Sequence, residues 1–185
     1  VEAAGRRHFP CRFVGTGQAG ILIAGGGVPL DAVRVDYAAG AVEAAVLEAA
    51  EALPADGLVL VEGQGSLCHP GSTATLPLLR GSQPTDLLLV HRADQTSIER
   101  LPQIPLPALQ ELVNLCEALA ALGRPRAAGA PPRVRAVALN TARLGEQDAR
   151  SAVASVSDQL GLPCTDPIRW GGERLLDAVL NSCGE

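Results

Sequence analysis

The 185-residue chain has no methionine, no lysine, one tryptophan, one tyrosine and two phenylalanines. Without lysine there is no ε-ammonium to reach a phosphate or form a Schiff base, and all fifteen side-chain cations are arginines. Aromatics at 2% exclude a base-stacking platform, and a formal charge of -5 without a basic stripe makes nucleic acid an unexpected partner. No apolar run approaches the roughly 20 residues of a membrane helix and no signal peptide is visible, so a membrane is not expected and a cytoplasmic location is. The five cysteines, Cys11, Cys68, Cys116, Cys164 and Cys183, are spaced singly, without the close pairs of a zinc site. Their odd number reads as reduced thiols, each best explained as a small buried hydrophobe. The missing methionine also leads us to expect a piece of a longer protein, opening in mid-flow at Val1.

What is present is a core built from Ala, Val and Leu, with 47% of residues hydrophobic, in a chain the size of one ordinary domain. Residues 2–9 read as the last turn of a helix. "CRFVGTG" (11–17) reads as a short strand running into a glycine-rich loop. From Asp31 the spacing predicts a helix with Val35, Ala38, Val42, Val46, Ala49 and Leu53 on one face, ended by Pro54. "DGLVLVE" (56–62), "TDLLLVH" (85–91) and "VRAVALN" (134–140) are short continuous apolar runs, as parallel strands covered on both faces require. Helices are predicted over 72–80, 107–122, 146–160 and 172–182, a surface connection over 124–133, and a short strand in "LPCTDP". This alternation predicts an open, mostly parallel α/β sheet with helices on both faces.

Ligands in such sheets bind beyond the carboxyl ends of the strands. That rule lines up Thr16-Gly17-Gln18, Glu62 to Ser66, His91-Arg92 and Asn140 to Arg143. Glu62, in "LVLVEGQGSLCHP", suits Mg²⁺ contact or general-base work, or marks where a strand reaches water. Gly63 and Gly65 let backbone approach a ligand closely. His69 is a candidate base, weighed against a structural role in a Cys-His-Pro turn. Asn140 has an amide that reads a base edge or caps local backbone. Arg80, Arg92, Arg143 and Arg169 are candidate carboxylate or phosphate clamps. The stretch from Thr16, "TGQAGILIAGGG", matches neither nucleotide-loop fingerprint and reads as a mobile connector as readily as a site.

Four motifs in order, "FVGTGQAGILIAGGGVPLDAV", "LVLVEGQGSLCHP", "LLRGSQPTDLLLVH" and "ALNTARL", resemble the C-terminal domain of the DgcN-like family, associated with D-glutamate N-acetyltransferase. The resemblance runs from about Arg12 to Leu180. It implies a fold similar to P-loop NTPases and dethiobiotin synthetase, with the first strand and phosphate loop absent from this chain. It implies that Glu62 occupies the acidic strand end facing Mg²⁺ and phosphate, that Asn140 meets a nucleotide base, and that Gln18 lies on the substrate side. The missing strand being central in such folds, the 57–61 strand is expected to carry an unpaired edge, which favours self-association into a homo-oligomer.

The expectation is therefore acetyl transfer from acetyl-CoA to the amino group of D-glutamate or a similar amino acid. Glu62 and His69 are the catalytic candidates. Gly17, Gln18, Gln64, Gly65, Ser66 and Asn140 are the cofactor-binding candidates, and Arg92 and Arg143 would bind the substrate. The alternatives are an ATP/Mg²⁺-dependent ligase or kinase resembling dethiobiotin synthetase, with Glu62 at the metal, and a non-catalytic remnant.

Overall fold

The computed structural model describes residues 1–125 and 129–181; Cys183, residue 182 of the last predicted helix and the middle of the 124–133 connection lie outside them. The chain divides into two compact units, Val1–Pro84 with Leu122–Ala127, and Thr85–Ala121 with Ala128–Glu185.

The first unit holds α1 (Glu2–Arg6), β1 (Cys11–Val14), α2 (Gln18–Ala24), α3 (Val35–Glu51), β2 (Leu58–Val61) and α4 (Thr75–Ser82). β1 and β2 pair in parallel, with Cys11 opposite Leu58 and Val14 opposite Val61. Their carboxyl ends therefore finish side by side, which delivers Gly15 to Gly17 and Glu62 to one place. α3 starts at Val35 rather than Asp31, because residues 31–33 form a turn. Of its predicted stripe, Ala38 and Val42 are buried with Leu30 and Leu78, and Val46 packs against them. Val35 instead lies 60% exposed in the first turn. Full burial of Val42 contributes about 1.5–3 kcal/mol. α4 lies close on α3 at Gly81, where a Cβ would come 2.3 Å from the Ala39 carbonyl oxygen.

The second unit holds β3 (Asp86–Arg92), β4 (Ser97–Ile98), β5 (Leu101–Pro105), α5 (Leu109–Ala121), β6 (Arg133–Asn140), α6 (Glu146–Leu160), β7 (Cys164–Thr165), α7 (Pro167–Trp170) and α8 (Glu173–Leu180). β3, β6 and β7 form a parallel sheet in that order, and β4 and β5 an antiparallel hairpin. Register slips by one at Arg135: Leu87 faces Val134, while Leu88 faces Ala136. The slip reverses the alternation of β6. Val134, Val137 and Leu139 thus share the face that packs with Val113 of α5 and with Ala152, Val153 and Val156 of α6. Ala136 and Ala138 share the other, under Leu175 of α8. Helices thus cover both faces, as the continuous apolar strands predicted. Coverage of β3 is incomplete, however, since Val90 is 75% exposed. Among the described residues β2 pairs only with β1, and β3 only with β6.

Candidate functional site

In the first unit Glu62 follows β2 and turns its carboxylate back onto the β1–α2 turn. Its Oε2 accepts the N–H of Thr16 at 2.7 Å and of Gly17 at 2.9 Å. The buried Thr16 hydroxyl donates to the Glu62 carbonyl oxygen at 2.9 Å. Closeness of this kind requires glycine. A Cβ on Gly20 would lie 2.0 Å from Glu62 Oε2, and one on Gly17 2.4 Å from Gln64 Nε2. Gln18 donates from Nε2 to Asp31 Oδ2 at 3.1 Å. The glycine-rich stretch is not a loose connector. Val28 and Leu30 donate to the carbonyls of Gly15 and Thr16, and Gly15 bridges to Gly27.

Beyond Glu62 the loop is tied by hydroxyls. Ser72 Oγ accepts the Ser66 N–H at 3.3 Å, Ser66 Oγ accepts that of Cys68 at 3.3 Å, and Thr75 Oγ1 donates to the Gln64 carbonyl at 3.1 Å. Gly65 sits in the left-handed region at φ 68°, with its Cβ position 2.2 Å from Ser72 Oγ. His69 is exposed, and its Nδ1 accepts the Gly71 N–H at 3.0 Å. That bond holds the imidazole within its own turn, with the ring proton of the neutral form on Nε2.

In the second unit the end of β6 is anchored by Asp166, which is 3% exposed. One of its oxygens accepts from the amide and hydroxyl of Thr141, at 2.9 and 2.5 Å. The other accepts the N–H of Ile168 at 2.9 Å and of Arg169 at 3.3 Å. Burial pushes the Asp166 carboxyl up, but these bonds outweigh it and hold it below the ordinary carboxylate value. Arg169 is a brace: it donates to the carbonyls of Thr141 and Leu144 and to Glu146. Asn140 accepts the Ala142 N–H on Oδ1 at 3.0 Å, which leaves its Nδ2 donors and one Oδ1 lone pair for a ligand. Arg92 and Arg143 both reach Glu99. His91 lines a cavity of about 370 Å³ with Leu106, Leu109, Leu139 and Val156. Burial, with the Arg92 charge beside it, pushes its imidazole below the ordinary histidine value. Cys164 is an inert core thiol, raised by burial to about 11.

The predicted residues thus gather in two places: Gly17, Gln18, Glu62, Gln64, Gly65, Ser66 and His69 in one unit, and Arg92, Asn140 and Arg143 in the other. For Mg²⁺ the first unit offers one carboxylate oxygen, Glu62 Oε1, to an ion that would otherwise be held by water and phosphate. No three His, Cys, Asp or Glu side chains gather to hold a metal among the described residues. Four contributors escape the sequence reading. Asp31 and Glu99 carry no local signal, being defined by partners elsewhere in the sequence, while Asp166 carries one as the Asp before Pro167 that caps α7, although its bonds to Thr141 are not visible locally. Gly15 carries one too: taken from there, the stretch is GTGQAG, a G-x-G-x-x-G spacing between a strand and a helix.

Residues 1–176 match the family model described as a domain of unknown function (DUF1611_C), P-loop domain. The chain belongs to the DUF1611 family. A solved structure of a DUF1611 family protein from Anabaena variabilis shares 49% sequence identity, with a TM-score of 0.89, over 97% of this chain and 51% of that one. A D-glutamate N-acetyltransferase from Tritonibacter scottomollicae is 39% identical over 174 residues, 94% of this chain and 50% of the relative. Another of that name, from a Pseudoalteromonas species, is 34% identical over 183 residues, 98% and 52% respectively. The chain spans about half the length of the curated relatives it matches. Its parallel strands and covering helices make the DUF1611 chain α/β and P-loop-like, as expected. Its described helices include none long and apolar enough to cross a membrane.

Proposed function

We propose that this chain is the P-loop-like portion of an N-acetyltransferase that moves acetyl from acetyl-CoA to the amino group of D-glutamate or a similar amino acid. The observation that carries this reading is the alignment of two relatives of that name along 94% and 98% of the chain. In such a reaction the amine nitrogen bonds to the thioester carbonyl carbon, the carbon–sulfur bond breaks, and coenzyme A leaves as the thiol. The attacking amine gives up a proton. We assign its removal to Glu62 through Oε1, with the His69 imidazole as the other base in that unit once its Nδ1 gives up the Gly71 N–H. Gly17, Gln18, Gln64, Gly65 and Ser66 position substrate and donor around that carboxylate. Asn140 offers Nδ2 to the adenine, and Arg92 and Arg143 take an oxyanion of donor or acceptor.

The test is acetyl transfer by the full-length protein, followed as free thiol and as N-acetylated product by mass spectrometry. Thiol and product should appear in equal amounts without nucleotide cleavage, and Glu62→Gln should lower kcat about 10²-fold or more. The P-loop description favours a second reading, an ATP-dependent ligase or kinase resembling dethiobiotin synthetase. ATP consumption without thiol release would establish that reading and reject acetyl transfer.

A further inference from the structure

The two arginines at the strand ends of the second unit already hold a carboxylate, and it is the protein's own. Arg92 closes β3 opposite Asn140 of β6 in the sheet register, and Arg143 follows three residues beyond that end. Between them stands Glu99, at the tip of the β4–β5 hairpin. Its Oε2 meets Arg92 Nη1 at 3.1 Å and its Oε1 meets Arg143 Nη2 at 3.3 Å. One carboxylate oxygen on each of two guanidiniums is how paired arginines grip a carboxylate or phosphate ligand. The contact lies in an open hollow of about 590 Å³, which Asp94, Thr96 and Arg100 also line. Three guanidiniums there face two carboxylates, and no ion pair is formed by Arg100 among the described residues, so the hollow keeps a positive excess.

Glu99 is also placed to leave. Its side chain is 58% exposed and that of Arg143 71%, so water and salt compete for both. Its neighbour at the tip, Arg100, holds a left-handed φ of 67°. Hydrogen bonds and charge from Arg92, then Arg143, hold the Glu99 carboxyl below its ordinary value, so it stays a competing anion at neutral pH. We propose that Arg92 and Arg143 form an oxyanion subsite in which Glu99 is the resident internal ligand, displaced when a phosphate or carboxylate of the substrate enters. The proposal rests on the acetyltransferase reading only for the source of that anion: the phosphates of coenzyme A or a carboxylate of the amino acid acceptor.

The test is calorimetric titration of the full chain with inorganic phosphate, ADP and glutarate, in wild type, Glu99→Gln and Glu99→Gln/Arg143→Gln. If Glu99 occupies the subsite most of the time, its removal should tighten at least one of these anions by about five- to tenfold. The second substitution should abolish the gain, and added salt should shrink it. A gain for phosphate and ADP assigns the donor; a gain for glutarate alone assigns the acceptor. Unchanged or weaker binding of all three to Glu99→Gln, with the ligand-free melting temperature kept, would overturn the proposal. Because no turnover is needed, the two readings fail separately. Tighter binding in a protein without acetyl transfer refutes only the activity, and intact transfer with unchanged binding refutes only the subsite.

Discussion

At the scale of single residues, the first unit depends on the fit between a carboxylate and a glycine. Glu62 reaches the amides of Thr16 and Gly17 only because Gly20 leaves the space its Oε2 fills. Gly20→Ala would push a Cβ to 2.0 Å from that oxygen, so the carboxylate or the helix must shift. We expect a loss of about 1–3 kcal/mol in denaturant unfolding, the usual range for overpacking. In a Glu62→Ala background the same substitution should cost less than half as much, because the two positions share one contact. Equal cost in both backgrounds would show the crowding to lie elsewhere. The sequence displays this arrangement, provided the reading starts at Gly15; begun at Thr16, it loses the first glycine of the spacing. Glu62 itself was legible as a polar strand end, but not as a carboxylate bound to its own loop. That follows from the side-by-side finish of two parallel strands, which a local pattern does not contain.

Elements show a similar division. Strands with unbroken apolar runs and α6, with its acidic first turn and Gly161 cap, were legible because local chemistry and burial agree. Helix α2 was not: it is seven residues long, lies between glycines, and leaves Leu22 and Ile23 more than 80% exposed, so no amphipathic stripe marks it. The β4–β5 hairpin was hidden by Pro102 and Pro105, which argue against a strand although Ile98 is buried beside its tip. The Asp166 anchor joins the end of β6 to the start of α7, and its effect should be read as pH dependence. Its carboxyl is held below the unfolded value of about 3.9. The stabilisation it gives is therefore complete above that value and is lost as pH falls through the lower folded one. Asp166→Asn should lose about 2–3 kcal/mol at pH 7, where an amide faces donors that need an acceptor. The melting-temperature gap between variant and wild type should then narrow steadily below pH 4. A gap that persists unchanged into strong acid would mean that the charge of Asp166 is not what matters.

Over the whole molecule, the alternation of strands and helices was readable, because each element carries its own period of apolar residues. The expected free edge of the 57–61 strand is open to a direct chemical test. Leu58 and Glu62 donate their N–H groups to Pro10 and Val14. Alternation in a strand therefore turns the N–H of Leu60 toward β1 as well, and those of Val59 and Val61 away from it. Proline removes one N–H and fixes φ near the extended range, so its cost depends on whether that N–H is used. In this chain Leu60→Pro should break the β1–β2 ladder and cost about 1–3 kcal/mol for the hydrogen bond lost and the acceptor left unpaired. Val59→Pro should cost far less, because β1 is the only strand partner of β2 among the described residues. The same pair of substitutions in the longer proteins of this family reports whether another strand joins there. Equal costs at both positions would mean that both edges of β2 are paired, and a retained difference that the outer edge stays open. If that edge drives the expected self-association, Val59→Pro should also lower the sedimentation-average mass of the 185-residue chain at high concentration. An unchanged mass would assign any association to another surface.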